Sequence, residues 1–165
     1  MTDFNSHFFE QDASHESSDG INPADIRLAA MNLLARREHS KTELRQKLRR
    51  RFPQDELVQI EIERLGQENL QSDARFAEAF LRQRADRGYG FMKVRQELRD
   101  RGLSDSEISR AVAEAKVDWS ELAREVYSKK FGAESASDLN ERAKRSRFMQ
   151  YRGFDRDDYQ SLIEK

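Results

Sequence analysis

The sequence has no cysteine, only two prolines and only seven glycines among its 165 residues. Without cysteine there is neither a disulfide nor thiolate chemistry, which fits a reducing, cytoplasmic setting. With so little proline and glycine, a fold of short strands and tight turns is disfavoured and helices are favoured. No apolar run approaches the roughly 18 residues of a membrane span. The first residues lack the basic-then-apolar order of a secretory signal. Apolar residues are themselves scarce, 36% against 37% charged. One thick core is therefore excluded, and thin elements with a single apolar stripe each are expected.

The net charge of −1 conceals an asymmetry. Residues 1–22 carry Asp3, Glu10, Asp12, Glu16 and Asp19 and no Lys or Arg, whereas the remainder is net basic. Rich in Ser and poor in aliphatics, residues 1–22 read as a disordered acidic arm that serves either solubility or the masking of a basic surface in cis.

Three stretches share one pattern: RRFPQDEL at 50–57, RGLSDSEI at 101–108 and RGFDRDDY at 152–159. Their first residues are 51 apart both times. Each reads as a joint that ends one helix and opens the next. Before the first joint, Ile26, Ala29, Ala30, Leu33 and Leu34 form one helical face, with Asn22 as N-cap and Pro23 at the first position. SKTE at 40–43 reads as a capping box, with Ser40 as cap, opening a helix that carries Leu44 and Leu48. Pro53 stops that helix, and Leu57, Val58, Ile62 and Leu65 follow.

The same order returns twice. Phe76, Ala79 and Phe80 precede Val94 and Leu98, and the SDSE capping box at 104–107 opens Ile108, Ala111, Val112 and Ala115. Trp119, Leu122, Ala123, Val126 and Tyr127 then begin a third copy that closes with Tyr159, Leu162 and Ile163. Gly102 and Gly153 suit left-handed helix ends. Because RQKL at 45–48 precedes RQEL at 95–98 by 50 residues, the first joint is expected to be one residue shorter. The expected fold is all-α: three tandem three-helix repeats, nine helices in all, stacked into an elongated, curved monomer. The expected boundaries are 23–70, 71–116 and 117–165, after the arm at 1–22.

No phosphate-binding glycine loop occurs, and GYG at 88–90 follows no strand. His7, His15 and His39 have no metal-ligand spacing, so no metal, cofactor or catalytic residue is expected. Base is clustered instead, around the second helix of each copy. Residues 27–54 carry nine basic residues against Glu38 and Glu43, 82–101 carry seven against three acids, and 142–156 carry six against Asp155. Arg predominates, and its fork suits phosphate and carboxylate. Stacked copies would align these clusters into a stripe for a nucleic-acid backbone or an acidic protein face. The candidate contact residues are Arg45, Arg49, Arg50, Arg87, Tyr89, Lys93, Arg95, Arg99, Arg147 and Arg152. Tyr89 is either core between helices or part of the patch.

LLARREHSKTELRQKL at 33–48, DARFAEAFLRQRADRGYGFMKVRQELRDRGL at 73–103 and RFMQYRGF at 147–154 resemble the RecX family of bacterial regulators. The resemblance covers all three copies and leaves out the acidic arm. It implies tandem three-helix units and a non-enzymatic modulator. Such a protein lodges in the groove of the RecA filament on single-stranded DNA and suppresses ATPase, strand exchange and co-protease activity. DNA contact, single- or double-stranded, would be of the backbone type and salt-dependent. Two other classes remain: a helix-turn-helix protein reading duplex sequence, and a helical adaptor for a different partner.

Overall fold

A computed structural model of the chain describes residues 20–164. The acidic arm expected at 1–22 therefore lies, apart from Gly20 to Asn22, outside the described residues. Nine helices and no strand occur among the described residues. They are α1 (Pro23–Leu34), α2 (Lys41–Arg49), α3 (Asp55–Gln67), α4 (Asp73–Asp86), α5 (Phe91–Arg99), α6 (Asp105–Ala115), α7 (Trp119–Phe131), α8 (Leu139–Arg152) and α9 (Arg156–Ile163).

The helices pack in threes, because no single helix is apolar enough to bury a core alone. In the first unit α1 and α2 both lie on α3; in the second α4 packs on α6; in the third α7 and α8 pack on α9. Each unit has its own small core. The first holds Ile26, Leu44, Leu48, Val58, Ile62 and Leu65. The second holds Phe76, Leu81, Val94, Leu98 and Ile108. The third holds Ala123, Tyr127, Met149, Phe154 and Tyr159. The units follow one another in a row, which spreads a modest apolar content over an elongated body.

Short polar side chains set the helix starts. Asn22 accepts the Ala24 amide at 3.0 Å, with Pro23 at the first position. Ser104 and Glu107 form a complete capping box. At Ser40 only half of the expected box is present: Ser40 Oγ accepts the Glu43 amide at 3.1 Å. The Glu43 carboxylate turns away, to Arg37 at 2.9 Å and His39 Nδ1 at 3.1 Å.

Three further expectations need correction. Ala79 is exposed, and Ala77 and Leu81 share the buried face of α4 with Phe76 and Phe80. Trp119 is only half-buried and packs against the core of the second unit, with its ring 5.6 Å from Phe91. The first joint is not a residue short: α2 and α5 end at Arg49 and Arg99, and α3 and α6 begin at Asp55 and Asp105. Helices on both sides of the joint thus keep a spacing of 50. Only the buried anchor shifts within the turn, from Phe52 to Leu103.

The glycines of the joints hold the row together. Gly153 has φ 90° and its carbonyl accepts the amide of Met92 at 2.9 Å, while the Arg152 carbonyl accepts the amide of Gly90, also at 2.9 Å. The same contact occurs one unit earlier, where Ser40 Oγ donates to the Arg101 carbonyl at 2.9 Å. There a Cβ on Gly102, φ 87°, would collide with the Thr42 side chain. In both seams, the start of the middle helix of one unit sits on the joint of the next. The first joint receives no such helix among the described residues, and there Arg51 and Phe52 replace the Arg-Gly pair.

Candidate partner-binding surface

Eight of the ten candidate residues fall into two groups with different electrostatics. Arg45 and Arg49 lie four apart on α2 and converge on Asp55, the first residue of α3. Arg45 makes a two-pronged contact, and Arg49 Nε lies 3.4 Å away. Arg95 and Arg99 repeat this on α5. Both reach Asp105, the first residue of α6, at 3.3 Å and 2.8 Å. The hydrogen bond from Arg45 holds the Asp55 carboxyl below its ordinary range, and that from Arg99 does the same for Asp105. These four arginines brace the joints inside their own units, and much of their charge is neutralised locally.

The third unit has no such clamp, since Ser146 and Gln150 stand where Arg95 and Arg99 would fall. Arg145 instead takes the inward position held by Val94 in the second unit. It is 6% exposed, donating to Tyr127 Oη at 2.9 Å and the Glu134 carbonyl at 2.7 Å. Stacking beside Phe131 at 5.0 Å completes its burial.

The second group gathers at the seam between the second and third units. Tyr89 lies in the turn between α4 and α5 and is half-buried, so its ring is neither sealed core nor a free patch. Three cations stand over it: Lys93 at 4.7 Å, Arg152 at 5.4 Å and Arg84 at 5.5 Å. Lys93 also reaches the ring of Tyr151 at 4.8 Å, and Arg152 that of Phe148 at 5.4 Å. Arg152 Nη1 donates to the Arg87 carbonyl at 3.2 Å, which ties the α8 end to the α4–α5 turn. Arg84 is paired with Glu97 at 2.7 Å. Among the described residues, Arg87, Lys93, Arg147 and Arg152 form no ion pair with an acid.

Beside this cluster the seam opens into a cleft of about 380 Å³, with Val126 and Phe148 in its wall and Arg87, Lys129, Lys130 and Arg152 around it. Arg50 stands apart, at the opposite end of the row. It lines a second shallow cleft with Arg36, Lys47 and Arg51.

Sequence reasoning missed Arg84, Phe148 and Tyr151 at the seam, and Arg101 at the other seam. Arg101 lies over Phe80 at 4.6 Å and faces Glu43 at 3.3 Å. Tyr151 was legible: it follows the buried Met149 by two positions and so leaves the apolar face of α8. No described helix is long and apolar enough to cross a membrane.

Family models match the chain in three consecutive pieces: the first three-helix domain of RecX over residues 27–65, the second over 72–112 and the third over 117–163. A regulatory protein RecX of Pseudomonas putida is 47% identical over 135 residues, covering 82% of this chain and 86% of the relative. That of Ectopseudomonas mendocina is 44% identical over 136 residues, covering 82% and 91%. The crystal structure of a regulatory protein RecX superposes with a TM-score of 0.74 at 20% identity, covering 86% of this chain and 72% of the other. The RecX structure from Lactobacillus salivarius gives 0.72 at 20% identity, covering 86% and 94%. Three domain matches in order, and relatives of this identity along most of the chain, place the protein in the RecX family of regulatory proteins.

Proposed function

We propose that this protein binds RecA filaments assembled on single-stranded DNA and restrains their recombinase, ATPase and co-protease activities, as a cytoplasmic, monomeric and non-enzymatic regulator. The reading is carried by the family: all three RecX three-helix domains are matched in order, and the matched relatives are named as regulatory proteins.

The geometry is compatible with that role. A row of units joined by hydrogen bonds to the backbone carbonyls of the joints is a body that can follow a helical groove and touch several protomers. Individually weak contacts then add through avidity. Arg87, Lys93 and Arg152 lie at the seam of the second and third units without an acidic partner among the described residues, so a partner finds charge there that is not already neutralised. Arg87, Tyr89, Lys93, Arg147 and Arg152 are therefore proposed as the principal contact residues. Arg45, Arg49, Arg95 and Arg99 contribute chiefly by bracing the joints, and Arg50 belongs to a separate basic end.

The deciding experiment is RecA ATPase and filament assembly on single-stranded DNA, titrated with the full chain. Inhibition at or below one regulator per RecA protomer is expected. Unchanged assembly and hydrolysis over a wide concentration range would sink the reading. Tight binding to one duplex sequence without RecA would favour a helix-turn-helix regulator in its place.

A further inference from the structure

Tyr151 is 76% exposed, an unusual state for a tyrosine whose neighbours on α8 are Met149, buried in the core of the third unit, and Arg152, held at the seam. The ring nevertheless has a cation beside it. Lys93, from the preceding unit, sets its ammonium 4.8 Å from the ring centre and 4.7 Å from that of Tyr89. A cation over an aromatic ring is attracted to its face. What remains open is a flat aromatic surface. Exposed Arg147 is one helical turn earlier on the same face of α8, and Met92, 47% exposed, is one residue from Lys93. None of Lys93, Arg147 and Arg152 pairs with an acid among the described residues, in contrast to the arginines clamped on Asp55 and Asp105.

From this juxtaposition we propose that Tyr151 is a base-stacking platform for single-stranded nucleic acid, with Lys93, Arg147 and Arg152 holding the phosphates on either side of the stacked base. The chemistry selects this ligand. Positive charge alone would serve any polyanion, but an open ring face beside it fits a polyanion that also carries flat faces. In a duplex those faces are covered by neighbouring base pairs, so the platform takes an unpaired strand. An acidic peptide would be held by the cations and would gain little from the ring. The inference deepens the proposed function, since it gives the regulator a direct hold on the strand that RecA coats. Its test uses no RecA, so it stands or falls separately from that reading.

The test compares binding of labelled oligo(dT) and of an abasic oligomer of the same length to the full-length protein, Tyr151→Ala and Tyr151→Phe. Because the side chain is exposed, both variants should melt with the unmodified protein. Tyr151→Ala should weaken oligo(dT) binding about tenfold, the loss of roughly one stacked base. It should leave the abasic oligomer unaffected, and Tyr151→Phe should bind as the unmodified protein does. As an independent readout, Tyr151→Trp should add to the emission of Trp119 a component that oligo(dT) quenches and the abasic oligomer does not. Equal affinity of Tyr151→Ala and the unmodified protein for oligo(dT) would overturn the proposal. So would an equal loss for both oligomers, or the same Tyr151 dependence with polyglutamate.

Discussion

Gly90 and Gly153 meet backbone to backbone: a Cβ on Gly90 would overlap the carbonyl group of Gly153. Gly90 has an ordinary φ of −80°, so what it cannot tolerate is bulk, not conformation. Gly132 is the reverse case, with φ 73° and nothing within 4 Å of an added Cβ. Gly90→Ala should therefore cost the overpacking of the seam, about 1–3 kcal/mol. Gly132→Ala should cost only backbone strain, because φ 73° with ψ −157° lies in a region essentially confined to glycine, about 1–3 kcal/mol. The two also differ in kind. Gly90→Ala should part the second and third units, seen as proteolytic cleavage near the seam and a larger radius of gyration in solution scattering. Gly132→Ala should lower the melting temperature with no change in shape.

Gly66 gives the opposite sign. It lies within α3, and a Cβ there would meet only ordinary contacts, the nearest at 3.6 Å from Lys41. Glycine in a helix is worse than alanine by about 0.5–1 kcal/mol. Gly66→Ala should raise the melting temperature by a few degrees, and a fall in differential scanning calorimetry would contradict the packing described.

These glycines show what the sequence could and could not convey. Gly102 and Gly153 were legible as left-handed helix ends, because they follow helical periods and precede acid-rich starts. That they also seat the preceding unit was not legible, because close approach between units leaves no periodic signal. Leu98 and Val94 were readable as core from their spacing alone. Trp119 opened an apolar face in the sequence yet packs on the previous unit, since a ring at a helix start can reach across a seam. Arg145 looked like one more surface cation in a basic run. Only the fold reveals that it stands where Val94 does. The candidate stripe was legible as charge, but local pairing was not: Asp105 suited a helix start, and nothing in the sequence showed that Arg95 and Arg99 close on it.

That pairing sets the response to acid. Asp55 and Asp105 both have carboxyls held below the ordinary value of 3.8 by their arginines. A group with a depressed folded pKa stabilises the fold above its unfolded pKa and loses that contribution as pH falls through the folded one. Melting temperatures should accordingly fall below about pH 4. Asp55→Asn with Asp105→Asn should flatten that limb and lower the plateau slightly. An unchanged acid limb in the double variant would refute the clamps.

His39 acts in a higher window. It is 3% exposed, beside Glu43 at the seam of the first and second units. Burial, then Arg37, push its pKa below the ordinary 6.5, against the opposing pull of Glu43. The unfolded chain then binds the proton more readily than the folded one, so stability is lost as pH falls below 6.5 and is unaffected above it. Thermal melts from pH 7.5 to 5 should show this loss, and His39→Gln should remove it. A slope that persists in His39→Gln would assign it to another group.

The contrast between clamped and unpaired arginines gives a functional prediction. Arg95→Glu with Arg99→Glu places two carboxylates against Asp105 and should lower the melting temperature, because the clamp becomes a repulsion at the start of α6. Arg87→Glu with Arg147→Glu breaks no ion pair with an acid among the described residues and should leave the melting temperature nearly unchanged. If unpaired charge at the seam of the second and third units holds the filament, the second pair should weaken RecA inhibition about tenfold, equivalent to about 1.4 kcal/mol of contact. The first pair should weaken it less at temperatures where that variant is folded. Inhibition curves for both double variants, read beside their melts at the same salt concentration, separate the two effects. A folded Arg87→Glu, Arg147→Glu protein with undiminished inhibition would move the contact away from this seam, toward the basic end around Arg36, Arg50 and Arg51.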